Sequence, residues 1–491
     1  MKIEQIYTAC LSQASYYIES DGESVIIDPL RDVSSYINRS KLNESKIKYI
    51  FETHFHADFV SGHLTLSKLT KAPIIYGPDA MPSFDSIVAY DGQVFQFGQI
   101  SITVLHTPGH TLESSCFLLK DSDSQDYAIF TGDTLFIGDV GRPDLAQISG
   151  KTSTKYLSNL LYESLRKKIL PLSDNLIIYP GHGSGSVCGK NLSKKKIDTL
   201  GNQKKTNYAL RLEMTKDEFY NELTENLFPP PNYFPSNVNL NKNGYDDVSN
   251  ILEYSNKSIL ISDFIPLARD KNTLVLDVRS QSEFEKSHIP NSINIGINGN
   301  LAPLAGLIIE NIGQPLLIIS PVSSEKETII RLARVGFDNV IGYLKGGFDS
   351  WIESGQPFDQ IQSISTLEFY KLNSNKKLNI FDVRSPNEYN LEHVKEAINI
   401  PLAVLKYHIN DFPKQNLFYI YCAAGYRSMI ASSILKHNGI HNLINVQGGL
   451  KSIKKFNLLI NNWFLLIIYI SMIFLVLSLL DVICCFLSEC E

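Results

Sequence analysis

The sequence Thr53-His54-Phe55-His56-Ala57-Asp58-Phe59 places two histidines and one aspartate at alternate positions directly after an apolar run. Three more side chains that can hold a metal ion follow in short motifs, His110 in TPGH, Asp133 in TGDT and His182 in YPGHG. Histidine and carboxylate side chains are common ligands of zinc and iron. A lone histidine is usually a core or surface residue, but the whole set predicts a metal site.

Short runs of β-branched and aromatic residues in this half of the chain predict strands that end in polar or Gly- and Pro-containing loops. Four of the five loops carry His or Asp, and strand ends of this kind are where α/β scaffolds place their chemistry. The five runs are Val25–Ile27, Ile47–Phe51, Ile102–Leu105, Ala128–Phe130 and Leu176–Tyr179.

A predicted helix over Thr215–Leu227 ends at Pro229-Pro230-Pro231, because three prolines cannot continue it. The Asn-, Asp- and Gly-rich stretch from there to about Asn250 is predicted to be a linker.

The order and context of the potential ligands resemble the metallo-β-lactamase superfamily over about residues 1–245. The resemblance implies an αββα sandwich for this part of the chain. Dinuclear hydrolases of the superfamily have a histidine where this chain has Phe59. A phenyl ring offers no lone pair, so the second metal site loses a ligand, and a single metal held by His54, His110 and Asp133 is favoured.

Two histidines and one carboxylate with open positions opposite suit non-haem Fe(II), whereas Zn²⁺ more often takes a closed tetrahedral or a three-histidine set. His56, Asp58 and His182 are then expected to orient the ligands or a bound water.

Three longer runs, Thr53–His63, Gly132–Leu145 and Pro180–Lys190, are similar to persulfide dioxygenases, in particular to the bacterial enzymes fused to rhodanese domains. That family oxidises a low-molecular-weight thiol persulfide, such as glutathione or coenzyme A persulfide, with O₂ to sulfite and the free thiol. The resemblance implies one Fe(II) per chain, with iron ligands that match His54, His110 and Asp133. The sequence contains no obvious pair of catalytic carboxylates, which agrees with chemistry at a metal.

Two cations near these motifs are predicted to hold the carboxylate or phosphate of the thiol carrier. Arg142 follows Asp133 in the same loop, and Lys190 ends the third run. The alternative for each is a structural or surface ion pair. Cys188 is interpreted as a structural thiol, with acceptance of a sulfane sulfur as the alternative.

The second half contains an internal repeat. Leu276–Ser280 (LDVRS) returns as Phe381–Ser385 (FDVRS), and Gly346-Gly347 returns as Gly448-Gly449 at nearly the same offset. Two copies of one small α/β domain are therefore predicted.

The second copy carries a cysteine at the end of an apolar run, followed by a short loop that leads into a helix. Backbone N–H groups and the helix N-terminus make such a loop an anion cradle, which favours a nucleophilic thiolate. Together with Asp382-Val383-Arg384 and His393, it resembles the loop of rhodaneses, sulfurtransferases whose cysteine carries a persulfide. The predicted nucleophile is Cys422 with Arg427 complementing its charge, and the cradle is Ala423, Ala424, Gly425 and Tyr426.

The first copy lacks this chemistry, because Ser320 stands in place of Cys422 and Glu325 in place of Arg427. Serine cannot carry sulfane sulfur and glutamate reverses the charge. We therefore predict an inactive domain that acts as a spacer or an interaction surface.

The last segment contains an uncharged, almost wholly apolar run, Trp463–Leu480, preceded by Lys451, Lys454 and Lys455. This pattern predicts a membrane-anchoring helix with its cytoplasmic side at the lysines. A buried final helix and an extension without an evolved role are the alternatives. The start of the chain shows no secretory signal, and its seven scattered cysteines favour a reducing compartment, so we expect a cytoplasmic protein tethered to the inner face of a membrane.

The length of 491 residues predicts about three domains, and a net charge of −6 without dense basic clusters argues against a nucleic-acid partner. The predicted fold is α/β, with a metallo-β-lactamase αββα sandwich followed by two rhodanese-like α/β domains and an apolar tail. The predicted domains are a persulfide dioxygenase at 1–245, an inactive rhodanese-like domain at 255–360, an active one at 361–457 and the tail at 458–491.

The sequence thus predicts a bifunctional sulfide-detoxification enzyme whose partners are a thiol persulfide, O₂ and sulfite. Cys422 either joins sulfane sulfur to sulfite, giving thiosulfate, or supplies persulfide to the iron. The main alternative is a two-metal thioester hydrolase similar to hydroxyacylglutathione hydrolases. Another is a sulfur carrier or sensor without enzymatic activity. Superfamily relatives often self-associate, so a homo-oligomer is expected.

Overall fold

The computed structural model describes residues 1–145, 152–190, 192–225, 227, 229–456 and 460–461. Its packing divides into two compact units. The first comprises Met1–Lys257, Asn300–Pro315 and Ser324–Ile341, and the second comprises Ser258–Gly299, Leu316–Ser323 and the chain from Gly342 onward. Two segments of the first repeat therefore pack with the N-terminal part of the chain.

Two six-stranded sheets form the centre of the first unit. The first runs β1-β2-β3-β4-β5-β6 and the second runs β12-β11-β10-β9-β8-β7. The strands are β1 (Lys2–Thr8), β2 (Gln13–Ser20), β3 (Glu23–Ile27), β4 (Lys46–Phe51), β5 (Ile74–Tyr76), β6 (Ile87–Val88), β7 (Val94–Phe97), β8 (Ile100–His106), β9 (Ser115–Lys120), β10 (Asp126–Gly132), β11 (Ile177–Pro180) and β12 (Asp198–Thr199).

Helices cover the outer faces of these sheets. They are α1 (Ser34–Leu42), α2 (His63–Thr70), α3 (Thr154–Ser164), α4 (Leu200–Thr206), α5 (Lys216–Thr224), α6 (Phe234–Asn243) and α7 (Val248–Ser255). A π-helical turn at Leu165–Ile169 extends α3, and a 3₁₀ turn lies at Tyr208–Leu210.

An aromatic core lies between the two sheets. Tyr16 and Phe51 of the first sheet meet Phe97, Phe117 and Phe130 of the second, and each is almost completely buried. Separate apolar clusters join α1 and α2 to the first sheet and α3 and α5 to the second. The predicted αββα sandwich is therefore confirmed, and its five predicted strands correspond to β3, β4, β8, β10 and β11.

The predicted helix over Thr215–Leu227 is α5, which a capping box between Thr215 and Glu218 starts. The prediction of a linker up to about Asn250 is wrong, because α6 and α7 occupy that stretch. Asn241 of this stretch is buried and donates to the backbone of the loop after β4 instead of forming a loop itself.

The repeat forms two five-stranded sheets with the same arrangement, β13-β17-β16-β14-β15 and β18-β23-β22-β19-β21. The elements of the first copy are β13 (Ser258–Ile259), α8 (Ile261–Arg269), β14 (Leu274–Asp277), α9 (Gln281–Lys286), β15 (Ile293–Asn294), α10 (Leu301–Ile308), β16 (Leu316–Ile319), α11 (Glu325–Ala333), β17 (Val340–Leu344) and α12 (Gly347–Glu353).

The second copy repeats this order and adds short elements. They are β18 (Ser363–Ile364), α13 (Thr366–Asn375), β19 (Ile380–Asp382), α14 (Pro386–Leu391), β20 (His393–Val394), β21 (Ile398–Asn399), a 3₁₀ helix (Leu402–Asp411), β22 (Phe418–Tyr421), α15 (Tyr426–His437), β23 (Leu443–Val446), α16 (Gly449–Ile453), a 3₁₀ turn (Lys454–Phe456) and β24 (Ile460–Asn461).

The repeated DVR motif has the same role in both copies. Arg279 Nη2 donates to Asp277 at 2.5 Å, and Arg384 Nη2 donates to Asp382 at 2.6 Å, each pair being buried. The predicted internal repeat is therefore confirmed at the level of side-chain geometry.

The predicted anchor at Trp463–Leu480 lies outside the described residues. Within the described ranges, no helix has both the length and the apolar character needed to cross a bilayer.

A buried arginine holds the first repeat's α11 region in the first unit. The Arg31 side chain is fully buried, and its Nη1 and Nη2 donate to Asp338 at 2.6 and 2.8 Å. The same guanidinium also donates to the carbonyl oxygens of Ala333 and Asp246 at 2.7 and 2.8 Å. Removing it leaves the buried carbonyl oxygen of Ala333 and the partly buried carboxylate of Asp338 without this donor.

Replacing Arg31 with methionine should lower the free energy of unfolding of the first unit by about 3–5 kcal/mol, because it breaks a buried ion pair and leaves Asp338 unpaired. Arg334→Met is the control, since the Arg334–Asp32 pair is more exposed. The measurement is a urea titration in which the unfolding transition of the first unit is monitored. Equal losses in the two variants would contradict the assignment.

Candidate metal centre and thiol site

The register of two parallel strands brings two of the predicted site residues together. β10 pairs with β11 so that Gly132 lies opposite Pro180. Asp133 and His182 follow at corresponding places, and His182 Nδ1 lies 2.8 Å from Asp133 Oδ1. A Cβ atom on Gly181 would lie 2.7 Å from that same oxygen, so glycine is needed there.

The remaining ligands come from the loops after β4 and β8. His54 and His110 are each at most 2% exposed, and their ring centroids are 4.9 Å apart. The ligand atoms of His54, His110 and Asp133 all lie within 4.8 Å of one another. The structure thus groups the three predicted ligands.

Hydrogen bonds fix the tautomer of both histidines. Thr53 Oγ1 donates its proton to Asp28 Oδ2 at 2.9 Å, so it must accept from His54 Nδ1, also at 2.9 Å. His110 Nδ1 donates to the carbonyl oxygen of Arg142 at 2.9 Å. Because each Nδ1 carries a proton, each Nε2 keeps a lone pair for a metal.

Asp133 completes, with His54 and His110, a group of three side chains that can bind a cation. Its Oδ2 is buried, lies 3.4 Å from His110 Nε2, and has no hydrogen-bond partner among the described residues. An unpaired buried carboxylate oxygen facing histidine lone pairs is costly unless a positive ion lies between them. Two histidines and one carboxylate with an open side suit a metal that also binds substrate.

The charges around Asp133 favour its ionised form. Burial opposes ionisation, but His182, His110 and His54 outweigh it and hold the pKa of Asp133 well below its usual range. Burial lowers the pKa of His54 well below its ordinary value, which keeps that ring neutral and able to bind a metal.

His56 lies between the ligand His54, whose ring centroid is 4.3 Å from its own, and two buried carboxylates. Its Nε2 lies 3.1 Å from Asp28 Oδ1 and 3.3 Å from Glu52 Oε2. Burial alone would lower the pKa of His56, but these two carboxylates raise it to about 10. The Phe59 ring packs on the imidazole of His56 with centroids 4.3 Å apart. His56 therefore pairs with the carboxylates behind the metal loop.

His182 bridges two carboxylates. Its Nε2 lies 2.8 Å from Asp58 Oδ2, opposite the contact with Asp133. Burial opposes protonation, yet the two carboxylates raise the pKa of His182 well above its usual value. Asp58, His182 and Cys188 form a second buried group of potential ligands. Burial raises the pKa of the Cys188 thiol well above its ordinary value.

The structure does not support the predicted substrate contacts of Arg142 and Lys190. Arg142 is 3% exposed, and its guanidinium donates to both carboxylate oxygens of Asp144 at 2.6 and 2.7 Å. Lys190 Nζ donates to the carbonyl oxygen of Glu222 at 2.8 Å. Both cations hold loops together, and the alternative of a structural role fits them better.

Residues outside the motifs support the metal loop, and the motif search missed them. Asn241 of α6 donates to the carbonyl oxygens of His56 and Phe59 at 2.7 and 2.8 Å. Tyr233 donates to the carbonyl oxygen of Asp58 at 3.2 Å. Glu52 is a supporting residue that the sequence could have indicated. It lies next to the motif, and a buried strand seldom ends in an unpaired carboxylate.

At the second predicted site, the loop that follows Cys422 closes over its thiol. The thiol is 1% exposed, and the N–H of Gly425 donates to its Sγ at 3.1 Å. Gly425 has a φ of +102° and precedes α15, which begins at Tyr426. A Cβ atom on Gly449 would lie 2.3 Å from the Cys422 carbonyl oxygen, so glycine is needed at this position of the second copy.

The charge of Arg427 is already paired. Its two terminal nitrogens donate to the two oxygens of Glu388, each at 2.7 Å. Burial opposes ionisation of Glu388, but Arg427 and the backbone and hydroxyl of Ser385 lower its pKa to about 2. Arg427 therefore lies beside the loop as half of an ion pair, which the sequence alone did not indicate.

The first copy supports the loop of the second. Tyr426 donates its hydroxyl proton to the carbonyl oxygen of Gly296 at 2.8 Å, and Ser433 of α15 accepts from the N–H of Asn294 at 3.1 Å. A Cβ atom on Gly299 would lie 2.3 Å from the Tyr426 ring. In the first copy itself, Ser320 lies where the second has Cys422.

Family profiles match most of the described chain. The metallo-β-lactamase superfamily profile matches residues 8–182, and the rhodanese-like domain profile matches 262–354 and 365–456. A crystal structure of a metallo-β-lactamase from Staphylococcus aureus is 31% identical, with a TM-score of 0.61, and the match covers 70% of this chain and 98% of that one.

Two curated relatives are named as hydrolases. A probable hydroxyacylglutathione hydrolase of Schizosaccharomyces pombe is 34% identical over 167 residues, which are 33% of this chain and 60% of that protein. The hydroxyacylglutathione hydrolase of Dictyostelium discoideum is 29% identical over 225 residues, 45% of this chain and 75% of that protein. The chain thus spans less than two thirds of the S. pombe relative. By its match to nearly the whole S. aureus protein, the chain belongs to the metallo-β-lactamase superfamily, and two rhodanese-like domains follow its metal-binding domain.

Proposed function

We propose that the chain oxidises thiol persulfides with O₂ to sulfite at a single iron ion and transfers sulfane sulfur at Cys422. The observation that carries this proposal is the arrangement of His54, His110 and Asp133, whose ligand atoms all lie within 4.8 Å of one another. A three-residue set with an open side is suited to binding a persulfide and O₂ together.

The proposed oxidation is balanced as RSSH + O₂ + H₂O → RSH + SO₃²⁻ + 2 H⁺. An iron ion held by His54, His110 and Asp133 would supply the redox chemistry for the reaction of the persulfide with O₂. His54 and His110 present their Nε2 lone pairs, and their Nδ1 hydrogen bonds keep the rings in place. The Oδ1 atom of Asp58, which has no hydrogen-bond partner among the described residues, can accept the proton of the incoming persulfide.

At the second site, a persulfide on Cys422 would be held by the N–H of Gly425. Attack of sulfite on its outer sulfur breaks the S–S bond, releases thiosulfate and returns the Cys422 thiolate. The alternative direction, in which Cys422 supplies persulfide to the iron, uses the same groups. The names of the hydrolase relatives support a glutathione-type thiol as the carrier.

A thioester hydrolase with two metals is the second candidate. It is favoured by the second ligand group, Asp58, His182 and Cys188, which joins the first through the contact between His182 and Asp133. Such a site would activate water between two ions. Phe59 speaks against it, because its ring offers no lone pair at the position directly after Asp58.

Metal analysis and an oxygen electrode distinguish the two candidates. We expect one iron per chain and O₂ uptake with glutathione persulfide, accompanied by sulfite and thiosulfate that together equal the O₂ consumed. Two zinc ions per chain, together with hydrolysis of a glutathione thioester and no O₂ uptake, would establish the hydrolase instead.

A further inference from the structure

A cavity of about 160 Å³ lies within the first unit and reaches Asp58 at the metal centre. Five separate stretches of the chain line it. The lining residues that matter here are Asp58, Tyr233, Asn300, Pro303, Leu304 and Leu307. The last four belong to the first rhodanese-like domain, which lacks the sulfur-carrying cysteine.

These four residues lie on helix α10 or directly before it, so α10 forms one wall of the cavity. Leu301, Ala302 and Ala305 are buried on one side of α10, while Leu304 and Leu307 are only half-buried and face the cavity. The helix approaches the metal loop through Tyr233, because a Cβ atom on Gly306 would lie 2.4 Å from the tyrosine ring. Tyr233 in turn donates to the carbonyl oxygen of Asp58.

Several contacts keep this region in the same unit as the metal loop. Arg31 is paired with Asp338, and Arg334 donates to Asp32 at 2.7 and 2.9 Å. The N–H of Val60, next to the metal loop, donates to the carbonyl oxygen of Arg334 at 2.7 Å. The wall is thus held by the same segments that hold the ligands.

The chemistry of the lining selects an uncharged occupant. Leucine, proline, valine and tyrosine side chains form most of the surface, and among the described residues that line it none is Lys or Arg. At roughly 30 Å³ for each water, the volume corresponds to about five waters. A whole glutathione or coenzyme A molecule does not fit, and their carboxylates or phosphates would find no cation.

We propose that α10 of the first rhodanese-like domain is a specificity wall of the metal centre, admitting only the methylene and persulfide end of the substrate. The charged remainder of the thiol carrier stays outside the cavity. Leu304 and Leu307 then limit the width of the group that is attached to the reacting sulfur. This inference rests on the proposed persulfide oxidation and assigns to the inactive domain a role beyond that of a spacer.

The test measures kcat/KM for O₂ uptake by the full chain with glutathione, ethyl and benzyl persulfides. Leu304→Trp should lower kcat/KM for glutathione persulfide at least tenfold, mainly through KM, because the indole fills the cavity. Leu304→Ala should raise the benzyl-to-ethyl ratio of kcat/KM about tenfold, which is the scale on which apolar pockets discriminate. Leu304→Met, which conserves volume, should keep the wild-type ratio.

Ile308 provides the matched control, since it is also half-buried on α10 but does not line the cavity. Ile308→Trp should leave the ratio and kcat/KM within twofold of wild type. Iron content and sulfur transfer by Cys422 report on folding in every variant. If Leu304→Trp loses iron, Leu304→Ala and Leu304→Met still test the proposal.

The possible failures are distinct. Wild-type protein that takes up no O₂ with any of the three persulfides would overturn the proposed function. If the wild-type protein is active but Leu304→Ala leaves the benzyl-to-ethyl ratio unchanged, the specificity wall alone is overturned. The same follows if Leu304→Trp and Ile308→Trp have the same effect.

Discussion

Replacing Asp133 with alanine will abolish persulfide-dependent O₂ uptake and remove the iron, while sulfur transfer by Cys422 continues. Asp133 supplies the one carboxylate of the three-residue set, and its buried Oδ2 faces His110 Nε2 at 3.4 Å. Since loss of a group that merely orients a ligand costs about 10–100-fold in metal affinity, loss of the ligand itself should exceed about 100-fold.

The loss should appear in two independent measurements, the iron content per chain and the rate at an oxygen electrode. Asp126→Ala is a suitable control, because Asp126 begins the same strand, β10, and is exposed at its other end. A variant without Asp133 that retained one iron per chain and wild-type O₂ uptake would contradict the assignment of the metal site.

Replacing Cys422 with serine will reduce thiosulfate formation from sulfite and a persulfide donor to the background rate, and O₂ uptake will stay within twofold of wild type. A hydroxyl cannot carry sulfane sulfur, so the effect should be complete. The serine fits the space, because Ser320 occupies the corresponding position in the first copy. The measurement is thiosulfate formation with O₂ excluded, followed by O₂ uptake on the same preparation.

Cys116 serves as the control thiol. It is completely buried in the first unit, and burial raises its pKa to about 11, so it stays protonated and unreactive at neutral pH. Cys116→Ala should therefore leave sulfur transfer intact. Loss of both activities in Cys422→Ser would show that the two sites do not work separately.

The metal set illustrates what the sequence could predict. Ligand residue types at the ends of apolar runs are local features, so His54, His110 and Asp133 could be singled out without coordinates. The same holds for the repeat, because identical short motifs at a nearly constant offset preserve the same buried Asp–Arg pair in both copies.

The sequence did not predict which partners the fold gives to a polar side chain. Arg142 and Lys190 were expected to bind substrate, but Asp144 and the Glu222 carbonyl oxygen hold them instead. The stretch interpreted as a linker forms α6 and α7, and Asn241 of α6 donates to the backbone of the metal loop. A side chain's availability depends on what the fold brings beside it, and composition does not report that.

The sequence by itself determined the ligand set, the cysteine loop and the two-copy organisation, because each is encoded by residues close together or repeated in register. Only the tertiary structure decided which way His56 faces, that Glu388 pairs with Arg427, and that α10 of the first repeat lines a cavity at Asp58. These depend on packing between segments far apart in sequence, where burial and charge pairing choose among partners that the chain order leaves open.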